Sequence, residues 1–359
     1  MKKLIKQSLI IIAWLCLLLG ALYWPKINFF SSYGANTINV FTWGDILDPS
    51  IIASFEKDTG IKVNLSYYSS NEELLVKLKA TKGEGYDLIV PSDYAVSTLI
   101  KQNLLKKIDK SKLTFWSAIN PNLLGHFFDP SNEYSIPFEW EIFLLGINKN
   151  YFNQRDIPLN WGLIFDKNHI DYKISMTNDP IEATLFASLY LFGPKDSLTP
   201  AEMSAVRNLL ISQKEWVEAY ATFRGDYFLA TGSCQVALVS SSYLWKTLNQ
   251  FPSIGFALPK EGTFISIENI SIPHPSKKED LTYQFINYLF QEESALSHFE
   301  TFGFFPSTLQ SLTNIKIAPE TKELLLSSEE QFRKFHFAKE VMPQDQITDI
   351  WIEVKSGKY

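Results

Sequence analysis

The chemistry legible in this chain lies in a few acids set among hydroxyls and rings. Asp179 and Glu182 fall three residues apart in Met176-Thr177-Asn178-Asp179-Pro180-Ile181-Glu182-Ala183. Glu268 interrupts an apolar, hydroxyl-rich run from Phe264 to Ile272, and Asp93 stands between Pro91-Ser92 and Tyr94. Trp43 lies far upstream, beside Gly44-Asp45. Carboxylates pair with ammonium groups, and aromatic rings cover the methylenes between them. Acids and rings drawn from distant parts of one chain therefore suit an elongated organic cation.

Each of these residues also has an ordinary role. Asp179 before Pro180 is a good N-cap, with proline at the first helical position, and Glu182 then completes a capping box. Asp93 caps the helix expected through Leu99. Trp43 at a strand end lids a core as readily as it stacks on a cation. Glu268 is the anomaly: a carboxylate in such a strand either faces solvent or meets a cation. Spacing alone favours the structural reading of Asp179 and Glu182 over the functional one.

Other chemistries find less support. The sequence has no Gly-rich phosphate loop, no HExxH and no paired cysteines after the leader, where only Cys234 remains. Its five histidines (126, 169, 274, 298, 336) are scattered singly, so neither a metal site nor a histidine-based triad is readable. A glycosidase pair of acids, or a metal held by the same acids, stays open as a minor alternative. No cofactor is expected.

The elements that must position these residues alternate. Strand signals at Ile38–Phe41, Ile61–Tyr67 and Tyr86–Val90 flank helix signals at 49–58 and 71–79, the first closed by Gly60. This order predicts a parallel sheet, and ligands bind beyond the carboxyl ends of such strands, where Trp43 and Ser92-Asp93-Tyr94 fall. A second unit begins near Glu141. It has strands at 143–148, 174–177 and 235–239, and helices at 181–191 and 199–212. Strands at 254–258 and 264–272 return the chain toward the first unit, and helices follow at 280–290 and 321–335. No low-complexity linker separates the units, so crossing strands near 141 and 266 are expected to form a hinge.

Ahead of this lies a leader. Lys2, Lys3 and Lys6 precede an uncharged run from Gln7 to Pro25. As a helix it would reach about 28 Å, long for a cleaved signal and just enough to span a membrane. Export is expected, with cleavage or retention as an anchor both open. Four of the 33 lysines and arginines precede residue 36, which leaves 29 against 39 acids. That balance disfavours nucleic acid and anionic membranes.

Several segments carry a resemblance. They are Phe55-Glu56-Lys57-Asp58-Thr59-Gly60-Ile61-Lys62-Val63, Ser70-Asn71-Glu72, Tyr86-Asp87-Leu88-Ile89-Val90-Pro91-Ser92, and Ile108-Asp109-Lys110-Ser111-Lys112-Leu113. Tyr134-Ser135-Ile136-Pro137, Pro259-Lys260-Glu261-Gly262 and Glu300-Thr301-Phe302-Gly303 complete the set. With these the chain resembles, from about residue 37 to its end, the periplasmic spermidine/putrescine-binding proteins of polyamine ABC transporters. The resemblance implies an α/β, two-lobed type II periplasmic binding protein fold. Each lobe would be a mixed, mostly parallel sheet flanked by helices, with the ligand in the cleft between lobes. Residues 36–141 with 267–314 would form one lobe, and 142–266 with 315–359 the other.

Carried over residue by residue, the resemblance implies that Trp43 and Tyr94 wall the ligand slot. Asp179 and Glu182 would receive one ammonium end, and Glu268 stands where the family has an aspartate. Ser92, Asp93, Ser240 and Phe304 complete the expected site. The chain departs from the pattern at Ser240 and Ser266, where the family offers aromatics, at Ile46 and at Phe304, where it has a tyrosine. The expected partners are a polyamine and inner-membrane ABC permease subunits, with a monomeric, periplasmic, non-enzymatic protein between them. Another cationic or amino-acid-like solute, or a sensor on the same fold, remains the alternative.

Overall fold

The computed structural model describes residues 14, 34, 36–153, 159–168, 170–221, 224–317, 321–322 and 329–356. The leader, apart from Trp14, and His169 lie outside them.

The amino-terminal alternation folds as its pattern requires. Strand β1 (Thr37–Trp43) is flanked in parallel by β2 (Lys62–Tyr68) and the short β3 (Leu88–Ile89), in the order β2-β1-β3. Asp48 caps the helix Pro49–Thr59 by accepting the Ser50 N–H at 2.8 Å, and Gly60 ends it in the left-handed region. Ser70 caps the helix Asn71–Thr81 at the Glu73 N–H. Ser92, rather than Asp93, is the N-cap residue of the helix Asp93–Lys101, so the carboxylate of Asp93 is released for other work.

The second sheet is organised by one long strand. β4 (Ile136–Asn148) is buried along nearly its whole length. It is followed by β5 (Ile174–Met176), β6 (Val217–Tyr220), β7 (Val236–Ser240), β8 (Ile254–Ala257), β9 (Thr263–Ile270), β10 (Phe305–Pro306) and β11 (Phe335–Phe337). Their order is β11-β9-β4-β7-β5-β6, with β8 and β10 also paired to β4. The pairings among β5, β6 and β7 and between β9 and β11 are parallel; those made by β4 are antiparallel. The amino-terminal half of β4 lies against β9, and its carboxyl half against β7 and β8. Glu141 and Ser266 are register partners where β4 and β9 run together.

Two readings of the sequence need correction here. The strand expected from Phe143 starts at Ile136, because Pro137, Glu139 and Glu141 disguise its first half. The helix expected over 321–335 does not reach its end: a turn of helix closes at Phe332, and Phe335 enters β11 beside Thr263. The terminal helix Gln344–Ser356 was not anticipated.

Three apolar clusters hold these layers. One gathers Ile38, Phe55 and Phe285 under the first sheet; another gathers Trp161, Phe186 and Ile347. A third, with Trp140, Trp245 and Phe305, joins residues from both units. Full burial of each such side chain contributes roughly 1.5–3 kcal/mol. One contact is unusually close: Gly303 ends the helix Glu292–Phe302 at φ 87°, and a Cβ there would lie 2.0 Å from the Ser242 carbonyl. Gly303→Ala is expected to cost at least about 2 kcal/mol, from left-handed strain and a backbone clash together. A lower denaturant midpoint with an unchanged slope would register it.

Candidate functional site

Glu268 is the hub. It sits on β9 with 8% of its surface exposed, opposite Glu139 of β4. Ser92 Oγ donates to its Oε1 at 2.7 Å and Trp43 Nε1 donates to its Oε2 at 2.9 Å, with Ser266 Oγ 3.3 Å from Oε1. Trp43 reaches it because β1 ends there, and Ser92 because the turn after β3 docks on β9 through the Asn269 N–H and the Pro91 carbonyl. Asp93 lies behind, 2% exposed, its Oδ2 accepting the Ile267 N–H at 3.1 Å and its Oδ1 the Tyr94 N–H at 2.6 Å. One acid is thus fixed by hydroxyl and indole donors, and a second braces the strand carrying it.

Asp179 and Glu182 form a second station at the end of β5. Asp179 does cap the helix Pro180–Phe192, accepting the N–H groups of Ile181 and Glu182 at 2.8 and 2.9 Å. Both bonds end on Oδ1, so capping occupies one of its two oxygens. The capping box is not made. Thr177 Oγ1 instead accepts the Asp179 N–H and donates to Glu182 Oε2 at 2.6 Å.

Glu141, which sequence reasoning passed over, lies close enough to Glu182 and Glu268 for its charge to act on both. It is 8% exposed on β4 and accepts a hydrogen bond from Ser240, whose hydroxyl is 2.7 Å from that of Ser242. Ser240 therefore does reach the acids, as a partner of Glu141. Glu139 is buried two residues earlier, with its Oε1 3.5 Å from His298 Nδ1. The signal for both acids was the one that singled out Glu268: carboxylates alternating with large apolar residues in a strand.

The rings are arranged differently from expectation. Trp43 packs on Tyr68, with centroids 4.6 Å apart, and Tyr68 donates to the Val90 carbonyl. Tyr94 is 39% exposed and turns its hydroxyl toward Glu72, 3.3 Å away. Phe304 is half-buried and packs on the cluster containing Phe55 and Phe285. Ile46 is core.

Electrostatics follow from burying like charges near one another. Burial, reinforced by Asp179 and Glu141, pushes Glu182 up to about 8. Burial also raises Glu268 to about 8, with Asp93 and Glu141 adding repulsion while Ser92 and Trp43 oppose it. Asp93 rises to about 7 through burial, and Glu139 and Glu141 are raised for the same reason. Burial of this kind favours the protonated carboxyls. Trp43→Phe, which removes one donor to Glu268, should weaken capture of an organic cation about tenfold in titration calorimetry while leaving the fold intact.

The fold is that of a two-lobed type II substrate-binding protein. The chain belongs to the bacterial extracellular solute-binding protein family, whose model matches residues 50–323. It is 31% identical over 271 residues to the spermidine/putrescine-binding periplasmic protein of Escherichia coli (strain K12), covering 75% of this chain and 77% of that one. It is 27% identical over 339 residues to the putrescine-binding periplasmic protein SpuD of Pseudomonas aeruginosa (strain UCBPP-PA14), covering 89% and 92%. The fold also matches the spermidine/putrescine ABC transporter substrate-binding protein PotD of Streptococcus pneumoniae. There the TM-score is 0.75 at 23% identity, over 89% of this chain and 99% of that one.

Proposed function

We propose that this protein is the extracytoplasmic binding component of an ABC transporter, that it closes over a polyamine, and that it delivers the polyamine to permease subunits in the inner membrane. It acts in the periplasm and catalyses no reaction. The observation that carries this reading is Glu268, a buried carboxylate with its oxygens fixed by Ser92 and Trp43. Relatives named for spermidine and putrescine binding support it.

Residues 36–141 with 267–314 form one lobe in this proposal, and 142–266 with 315–359 the other. Support comes from β4 and β9, which cross this boundary side by side with Glu141 and Ser266 in register. Bending at two paired strands would close the lobes, completing charged contacts only in the closed form. One ammonium–carboxylate contact near 4 Å gains roughly 4 kcal/mol at an effective dielectric of about 20, before desolvation. Desolvation removes much of that, so both acid stations and the Trp43 ring are needed together.

Titration calorimetry of the full chain with putrescine, spermidine and spermine tests the reading, with arginine and glucose as controls. Saturable one-to-one binding of a polyamine is expected, and heat from arginine alone would overturn it in favour of an amino-acid-like solute. Asp179→Asn should raise Kd at least tenfold with little change in melting temperature, because asparagine caps a helix as well as aspartate does. Equal losses of affinity and stability would reduce Asp179 to its cap.

A further inference from the structure

We infer that Glu141 is a third cation station, and that the site selects a polyamine with a charged nitrogen between its two ends over a simple diamine. The inference rests on the polyamine reading and deepens it. Glu141 enters from β4, at the point where that strand and β9 run together. Its carboxylate is bound by Ser240, which Ser242 supports in turn, and Ser266 is its cross-strand partner. The Ser241 hydroxyl meanwhile accepts the Ile142 N–H at 3.1 Å, fixing the turn that carries these serines against β4. The centre of the site is thus hydroxyl-lined and acid-bearing where the resemblance led one to expect rings.

Placement along the strands supports the same conclusion. Glu268 is in register with Glu139, so Glu141 is offset from it by two residues along the sheet. Two residues of strand span about 6.8 Å. That is the scale of the three- or four-methylene spacer between neighbouring amines of a polyamine. Glu141 also lies close enough to Glu182 and Glu268 for its charge to act on both. A diamine has one such spacer, so when it pairs Glu268 with Glu141 it leaves Asp179 and Glu182 without a counter-charge. A triamine places a secondary ammonium at Glu141, which hydrogen-bonds and ionises it.

The test compares putrescine, cadaverine and spermidine on the full chain by titration calorimetry, for the native protein and Glu141→Gln. Spermidine is expected to bind at least tenfold more tightly than either diamine. Glu141→Gln should erase most of that ratio by weakening spermidine far more than either diamine. A native protein that binds putrescine as tightly as spermidine overturns the inference without help from any variant. So does a Glu141→Gln protein, of unchanged melting temperature, that loses both ligands equally. Silence with all three amines would remove the polyamine reading itself, and this inference with it.

Discussion

Glu268→Gln is expected to weaken polyamine binding by a factor of about 30 to 100 while leaving the fold as stable as before, or more so. The glutamine is nearly isosteric, and its carbonyl oxygen can still accept from Trp43. The Ser92 hydroxyl can turn to accept from the new amide, so the local network survives. What is lost is the charge-assisted contact with an ammonium group, the stronger kind of hydrogen bond, at about 2–3 kcal/mol. The variant also removes a carboxyl whose ionisation Asp93 and Glu141 oppose. A buried carboxyl that keeps its proton and an amide of the same shape cost the fold about the same, so the melting temperature should not fall. Calorimetry for affinity and thermal unfolding for stability separate the two effects. A variant that binds as tightly as the native protein would make Glu268 a structural acid and move the site elsewhere.

Polyamine binding at pH 7 is expected to expel at least one proton, and affinity should climb between pH 6 and pH 8. Glu182 and Glu268 hold protons up to about 8 in the free protein, and Asp93 to about 7. An ammonium group favours the ionised carboxylate, so capture and deprotonation are linked. The same linkage sets the stability of the unliganded fold. These carboxyls keep protons that the unfolded chain has already lost above its ordinary 4.5 or 3.8. Their contribution is therefore complete in acid and declines as pH rises toward 8, by up to about 1.4 kcal/mol per pH unit for each group. His298 acts oppositely: burial lowers it to about 4, and its contribution is lost as pH falls below its ordinary 6.5. The melting temperature of the free protein should therefore fall between pH 6.5 and 8, and polyamine should restore it. Titration in phosphate and in Tris measures the protons directly. Equal heats in the two buffers would show that the acids are already ionised before the ligand arrives.

The chain's local grammar was sufficient for much of the fold. The Gly60 stop, the apolar run Ile38–Phe41 and the alternation of Ile61–Tyr67 depend on neighbours within a few residues, and they folded as the pattern demanded. Asp179 as a cap was readable for the same reason. Glu268 was legible as an anomaly because a carboxylate in an apolar strand is costly wherever the strand lies.

Long-range pairing decided the rest. Trp43 and Glu268 are 225 residues apart, and only the docking of β9 beside the end of β1 and the turn after β3 brings them within a hydrogen bond. The capping-box role of Glu182 gave way because the Thr177 hydroxyl was better placed to meet it. Glu141 and Glu139 stayed hidden because acids are poor strand formers on their own, and β4 is held by partners that come later in the chain. Sequence by itself determined which residues could meet a cation. Tertiary structure decided which of them are buried close enough to act on one another, because burial and the proximity of like charges belong to the assembled sheet and to no single segment of the chain.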